Sequence, residues 1–362
     1  MGKVLIEEEN LTNIANSIRS KTGSSELMTP GEMSGNIETI DGVSDYFKDT
    51  ISGTTSSSGG TFSQTILKLP AFKNEGTSCG YLFNGLTNLK EVDLRNFNTE
   101  NVTYMENMFS GCKSLENIDL SNIVTDNVTS MRYLFNNCES LKELNVNHFN
   151  TLNANDYTSV FASCKSLTSL DISNWDSLKP STFQGTFSNC TNLETLDISG
   201  FSHDPNKTIS FNLTFQNCSK LKTVNWGNLF SYRGLAFGST FHGCSSLETL
   251  PPINMESATR VDNIVYGCTA LKNLSGFINL GKAYTKTTVN YQQCTLNLAT
   301  CTALTHDSLM NVINNLYDLN LSYDVANGGT LYTQSLVLGA TNLAKLTDEE
   351  IAIATAKGWT VS

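Results

Sequence analysis

The chain has 362 residues and a formal net charge of −11, from 34 acidic and 23 basic residues, and 39% of its residues are hydrophobic. This acidic balance argues against general nucleic-acid binding and against attraction to anionic membranes. The hydrophobic content suffices for a continuous core and is too high for a disordered chain. No stretch approaches the roughly 18–20 apolar residues of a membrane span. The first residues lack the apolar segment of a secretory signal, so we expect a chain that stays in the cytoplasm or leaves it by another route.

The first 80 residues differ in pattern from the rest of the chain. Leu11, Ile14 and Ile18 share one face of a predicted helix. A Ser- and Gly-rich stretch follows, which is typical of a linker, and alternating residues after it predict a first strand. We therefore assign 1–50 to a helical N-terminal segment and 51–80 to a linker and first cap strand.

From residue 81 to 305 a unit of about 26 residues repeats, and most copies carry a cysteine at the same place. Upstream of it, Val102, Met105, Phe109 and Cys112 are separated by 3, 4 and 3 residues, which predicts one stripe of a short helix. Leucine stands three residues after the cysteine, and the aliphatic residues that follow alternate with polar ones, which predicts a short strand. A unit of this size cannot bury its apolar face alone, so about eight copies are expected to stack. The repeated cysteines are Cys112, Cys138, Cys164, Cys190, Cys218, Cys244 and Cys268.

The repeat sequence also resembles a known family. Residues 96–115, Asn-Phe-Asn-Thr-Glu-Asn-Val-Thr-Tyr-Met-Glu-Asn-Met-Phe-Ser-Gly-Cys-Lys-Ser-Leu, closely resemble the BspA-like leucine-rich repeats of bacterial surface and phage proteins. The resemblance implies an α/β leucine-rich repeat solenoid with a parallel strand ladder. Residues 11–33 resemble an N-terminal segment common in phage tail and baseplate proteins. Residues 336–361 resemble the closing segment of phage minor structural proteins.

Residues 306–362 are predicted to form an α+β cap over the last repeat. Leu304 and Leu309 flank Thr305, as in a hydrophobic staple at a helix start. Thr347 with Glu350 has the spacing of a capping box. Repeat proteins need atypical ends of this kind, because the last unit would otherwise expose its apolar face.

Ten cysteines raise the question of disulfides or a metal centre. The sequence has no Cys-x-x-Cys pair, and cysteines at the same position of stacked repeats point the same way, which fits disulfide geometry poorly. We therefore predict buried, free thiols that serve as small apolar side chains. The redox state of Cys79, Cys294 and Cys301 stays open, and no resident metal or cofactor is predicted.

The outward residue between the two strand aliphatics is an acid or an amide in six consecutive repeats. Such a row could bind Ca²⁺ or hydrogen-bond to sugar hydroxyls. The alternative is a solvated face on which Asp and Asn satisfy nearby turns and neighbours. We call these six residues the polar column and treat them as candidate ligand-binding residues: Asp93, Asp119, Asn145, Asp171, Asp197 and Asn225.

The resemblance implies a non-catalytic appendage of a phage tail or baseplate that presents its repeats for host-receptor binding or tail-tip assembly. Such a protein would be assembled in the bacterial cytoplasm and end in the virion tail. Its partners would be other tail proteins, through residues 1–50, and a host-surface glycan or protein. It would form a homo-oligomer, with a trimer expected, and would neither bind nucleic acid nor insert into a membrane.

Two other functions are weighed against this one. A bacterial cell-surface adhesin could be built from the same repeats. An enzyme such as a glycan hydrolase would need paired carboxylates across a cleft, whereas the acids here follow the repeat. We therefore predict no catalytic residues.

Overall fold

The structure is a computed structural model, which describes residues 66–68, 72–73, 77–95, 97–176, 180–201, 209–227, 234–282, 294–321 and 334–362. The helices predicted over residues 1–50 and the linker after them lie outside these ranges. The strands are β1 Ile66–Lys68, β2 Phe72–Lys73, β3 Glu91–Asp93, β4 Phe97–Asn98, β5 Ser169–Asp171, β6 Thr195–Asp197, β7 Ile209–Ser210, β8 Thr223–Asn225, β9 Gly234–Ala236, β10 Thr249–Leu250, β11 Ile253–Asn254, β12 Asn273–Leu274, β13 Phe277–Ile278, β14 Thr295–Asn297, β15 Gln334–Val337 and β16 Trp359–Val361. The helices are α1 His306–Asn315, α2 Gly339–Leu343 and α3 Asp348–Ala356, with a 3₁₀ turn at Leu319–Leu321.

Strands of successive repeats pair in parallel. In the sheet β5-β6-β8, Leu170 pairs with Leu196, which pairs with Val224. Leu170 and Leu196 are buried, whereas the residues on either side of them point outward. The predicted strand of the repeat is confirmed here and in β3. In the two repeats between β3 and β5, the equivalent segments 117–119 and 143–145 are not strands.

The helix predicted upstream of each cysteine is wrong, because this segment is a series of turns. Two residues in each repeat, five and one before the cysteine position, have a left-handed backbone, as at Asn107 (φ 58°) and Gly111 (φ 77°). An α-helix requires negative φ throughout, so the segment from Val102 to Cys112 cannot be helical. The spacing of 3, 4 and 3 residues turns its apolar side chains inward all the same.

The turns form a hydrogen-bonded ladder between repeats, which we call the turn ladder. Alternate amides donate to the next repeat: Asn107 N to Arg132 O at 2.9 Å and Phe109 N to Leu134 O at 2.9 Å. The amides in between donate within their own repeat, as Cys112 N does to Phe109 O at 3.1 Å. Every second N–H therefore depends on a neighbouring repeat for its partner, which is how buried backbone is satisfied without a helix.

Stacked rings fill the core beside the turn ladder. The rings of one column, the inner aromatic column, lie 5.1–6.0 Å apart between centroids and are nearly parallel. A second aromatic column contains Tyr157, Phe183, Phe211 and Phe237, with separations of 5.3–5.8 Å. Stacks of this kind stabilise beyond the area they bury. The inner aromatic column consists of Phe83, Phe109, Phe135, Phe161, Phe187, Phe215 and Phe241.

Within residues 306–362, the described ranges contain both helices and strands. Thr305 caps α1 by accepting from Ser308 N at 3.2 Å. The capping box at the start of α3 is present, with Glu350 N donating to Thr347 Oγ1 at 3.2 Å and Thr347 N donating to Glu350 Oε2 at 2.9 Å. Strands β14, β15 and β16 form one parallel sheet beside these helices. Across the described ranges, no helix has the length and apolarity to cross a bilayer.

Candidate binding surface

The polar column lies on the outward face of the strands, because strand residues alternate between the core and the solvent. Asp171, Asp197 and Asn225 stand in register on β5, β6 and β8. Asp93 ends β3, with the buried Val92 before it. The remaining two members, Asp119 and Asn145, belong to the two repeats in which this segment is not a strand. The structure thus sets Asp171, Asp197 and Asn225 in one row, and it brings Asp93, Asp119 and Asn145 around one depression.

Where the strands are paired, the acids of the polar column bind to the protein itself. Asp197 accepts from Ser199 N at 3.0 Å and Ser199 Oγ at 2.7 Å, and from Asn225 Nδ2 at 3.0 Å. Partial burial raises the pKa of Asp197, but these hydrogen bonds outweigh it and hold the pKa below its ordinary value. Asp171 makes the same two contacts with Ser173, at 2.9 and 2.7 Å. These carboxylates close the turn after the strand, as the solvated-face alternative expects.

At the N-terminal end of the polar column, Asp93 holds an arginine. Arg95 donates to Asp93 Oδ1 from Nε at 2.9 Å and to Oδ2 from Nη2 at 2.6 Å. This two-pronged pair is the strongest geometry for an arginine and a carboxylate. Asp119 accepts from Ser121 N at 3.0 Å, and this backbone hydrogen bond lowers the pKa of Asp119. Asp119 is therefore charged at neutral pH.

Between β3 and β5 the strand face contains an open depression of about 550 Å³. Hydrogen bonds still join the repeats at its edge, from Glu116 N to Lys90 O at 3.1 Å and from Lys142 N to Glu116 O at 3.3 Å. Within the described chain, no strand pairing joins 117–119 or 143–145 to the repeats beside them. The depression is lined by Glu91, Val92, Asp93, Arg95, Asn117, Ile118, Asp119, Glu143, Leu144 and Asn145.

Four polar side chains of the open depression have no hydrogen-bond partner among the residues described. They are Glu91, Asn117, Glu143 and Asn145, and all four are exposed. Of these, Asn145 stands at the position that Asp171 and Asp197 occupy in later repeats, where serines hold the carboxylates. The open depression thus differs from the rest of the strand face in both its backbone and its side chains.

The cysteines form a buried column with a regular hydrogen bond. Cys112 Sγ donates to Phe83 O, in the preceding repeat, at 3.0 Å. Burial raises the pKa of the Cys112 thiol to about 12, so the group stays protonated. Cys301 joins the column by donating to Val265 O at 3.2 Å, although its sequence spacing differs. All ten cysteines are buried, and the seven repeat cysteines are free thiols, as predicted.

Calcium binding by the polar column stays a prediction. Nowhere in the described ranges do three or more His, Cys, Asp or Glu side chains come together as metal ligands. Ca²⁺ takes six to eight oxygen ligands. Any cation on this face would therefore need oxygens from water or from a bound partner.

Two features of the surface and its support were missed in the sequence. The first is the left-handed residue before each cysteine, for which a signal existed, because that position is always Gly, Asn or Ser. Glycine and asparagine, which fill seven of these eight positions, adopt positive φ more readily than other residues. The second is the open depression, for which no sequence signal is evident, because Ile118 and Leu144 fit the strand pattern as well as Val92 does.

The repeat region is similar to one described protein family. Two overlapping stretches, residues 77–201 and 138–249, match the family described as "Mycoplasma protein of unknown function, DUF285". Members of this family often carry BspA-like repeats. No curated protein matches the chain.

Proposed function

We propose that the chain is a non-catalytic binding protein whose stacked units form a leucine-rich repeat solenoid of the BspA-like type. The observation that carries this is the parallel register of successive repeats, which presents Asp171, Asp197 and Asn225 in one row along the strand face. Extended surfaces of this kind are what repeat proteins use for recognition. A buried, chemically inert thiol column behind that face suits a scaffold.

We place this binding protein in a phage tail or baseplate, where it would bind a host-cell receptor or help to assemble the tail tip. Support comes from the resemblance of both chain ends to phage structural proteins. Residues 1–50 would attach to neighbouring tail proteins, and the repeats would face the host. Assembly would take place in the bacterial cytoplasm, and the protein would function as a homo-oligomer, with a trimer as the expected state.

A bacterial cell-surface adhesin is the second candidate. It is favoured by the match to a family described from Mycoplasma, because that description concerns a bacterial protein. The two functions differ in where the protein is found. A tail component would co-purify with phage particles, whereas an adhesin would stay with the cell envelope.

The experiment combines location with binding. Particles induced from the bacterium that encodes the chain are purified on a density gradient, and the protein is sought by mass spectrometry in the particle and envelope fractions. Fluorescently labelled full-length protein is then incubated with cells of candidate hosts, with Ca²⁺ and with a chelator. Presence in particles together with cell binding supports the receptor role. Presence in particles without binding under either condition leaves tail-tip assembly, and presence in the envelope alone supports the adhesin.

A further inference from the structure

The open depression has an aliphatic floor and a charged rim. Val92 is buried beneath it, while Ile118 and Leu144 are only partly buried and face the opening. Leu170 and Leu196, at the equivalent place on the paired strands β5 and β6, are buried. The exposed floor is one or two side chains wide. It therefore suits a narrow apolar stem rather than a broad hydrophobic surface.

The charges around the open depression favour a cationic occupant. Four carboxylates line it, and the one cation among the lining residues, Arg95, is bound by Asp93. Asp119 and Glu143 belong to neighbouring repeats and flank the floor. A cation placed there would gain from both carboxylates, and an anionic ligand would be repelled.

The chemistry of the lining favours a protein segment over a glycan. Lysine and arginine combine an aliphatic stem with a charged head, and such side chains place the stem on apolar surface and the head among acceptors. Arginine can also bind a carboxylate with two parallel hydrogen bonds. Sugar rings commonly stack on aromatic side chains, and none of the residues lining the depression is aromatic. The amides of Asn117 and Asn145 offer hydrogen bonds to a peptide backbone.

We propose that the open depression is the docking site for a basic segment of a protein partner, with a lysine or arginine stem on Ile118 and Leu144 and its charged head between Asp119 and Glu143. This proposal deepens the binding role proposed above and rests on it. It places partner binding at the N-terminal part of the polar column, which lines the open depression. The paired part, from Asp171 onward, is not part of this docking site.

The probe is an acetylated and amidated Gly-Gly-Arg-Gly-Gly peptide added to ¹⁵N-labelled full-length protein and followed by amide chemical shifts. We expect shifts at residues 117–119 and 143–145 that saturate in the millimolar range and weaken as salt is added, because the attraction is electrostatic. The same peptide with glutamate in place of arginine should leave these amides unchanged. Shifts spread over the whole acidic surface would overturn the proposal.

Two pairs of variants separate the site from general charge. The double variant Asp119→Asn/Glu143→Gln should weaken peptide binding about tenfold or more, which corresponds to about 1.4 kcal/mol. Asp171→Asn/Asp197→Asn removes two charges from the paired part of the same face and should leave the affinity within about twofold. Asn145→Lys places a cation in the depression and should abolish binding, whereas Asn225→Lys should not. Equal losses in the two double variants would contradict the proposal.

Glucosamine oligomers and Ca²⁺ alone serve as competing ligands. If either shifts the amides of 117–119 and 143–145 and the arginine peptide does not, the proposed occupant is wrong. If the peptide docks but labelled protein binds no cells, the receptor role fails and the docking site stands. If cells bind and the peptide does not dock, only the docking site fails.

Discussion

The thiol of Cys164 donates to the carbonyl oxygen of Phe135, in the preceding repeat, at 3.2 Å. The same oxygen accepts from Cys138 N, within its own repeat, at 3.2 Å. One carbonyl thus joins the turn of its own repeat to the core of the next. The same pairing recurs from Cys112 to Cys268.

Replacing Cys164 tests the contribution of this hydrogen bond to stability. Cys164→Ala removes the donor but leaves Phe135 O with its backbone partner, so we expect a loss of about 1 kcal/mol in the free energy of unfolding, plus a small cavity effect. Cys164→Asp buries a carboxylate at a position with 0% exposure and should cost several kcal/mol or prevent folding. Urea denaturation followed by circular dichroism measures both. Equal stability of the two variants would show that the thiol is not enclosed.

Thiol reactivity gives a second prediction. The thiolate is the reactive form, and burial raises the pKa of Cys112 to about 12 and that of Cys301 to about 11. Both the low thiolate fraction and the closed core should make the thiols react with Ellman's reagent at pH 8 only when the protein unfolds. The readout is the count of reacting thiols with and without guanidinium. Rapid reaction in the native state would refute the buried column.

The left-handed position before the cysteine predicts an order of stabilities. Gly111 has φ 77°, and a Cβ there would lie 3.3 Å from the backbone of Gly85. Gly111→Asn should be the milder change, because asparagine tolerates this conformation and fills the same position as Asn137. Gly111→Val should cost at least about 1–2 kcal/mol more. Urea denaturation of the two variants measures this difference in stability. A valine variant as stable as the asparagine variant would argue against the turn ladder.

The capping box of α3 predicts a local loss of stability. Thr347→Ala removes the acceptor for Glu350 N and should lower the free energy of unfolding by about 1 kcal/mol. Thr355→Ala is the matched control, because Thr355 is an exposed residue inside the same helix and its hydroxyl bonds only to Ala352 O. The control should differ little from the parent protein in thermal denaturation. Similar losses in both would mean that the cap is not the source of the loss, because alanine is the better helix former inside the helix.

The pair of His306 and Glu350 predicts a pH dependence. His306 Nε2 lies 2.8 Å from Glu350 Oε1, and the hydrogen bond to Glu350 raises the pKa of His306 above its ordinary value of 6.5. Because the folded state binds the proton more tightly, the stabilisation is fully present below pH 6.5 and is lost as the pH rises through the folded-state pKa. The pKa of Glu350 is lowered, chiefly by the backbone hydrogen bond from Thr347, so its share is lost at acid pH.

The measurement compares Tm for the parent protein and for His306→Gln across this pH range. The parent should be the more stable at pH 6, and the difference should shrink toward pH 9. A difference that stays constant with pH would remove the ion pair as its cause.

The sequence predicted the parts of the fold that depend on side-chain pattern alone. The inward leucines, the alternation at Leu170 and Leu196 and the caps at Thr305 and Thr347 follow from local spacing. The turns before each cysteine could not be told from a helix by apolar spacing, because a spacing of 3, 4 and 3 residues suits both. Glycine or asparagine before the cysteine was the discriminating signal.

The candidate site was only half predictable. Alternation was enough to place Asp93 and Asp171 on one face, but it could not separate acids held by the protein from side chains without a partner. Whether the side chain at this position is hydrogen-bonded within the protein depends on pairing between repeats and on a serine two residues later. Asp197 has Ser199 at that place and Asn145 has Asn147.

The turn ladder is directional, since each repeat donates its alternate amides to the one that follows it. At the last repeat the acceptor is a side chain, because Gly267 N donates to Thr300 Oγ1 at 2.8 Å. Within the described ranges, the turn ladder joins each repeat to the next through backbone carbonyls, and only the last junction has a side-chain acceptor. We therefore expect that whole units can be added to or removed from the repeat region without changes at its ends, which would lengthen or shorten the displayed face.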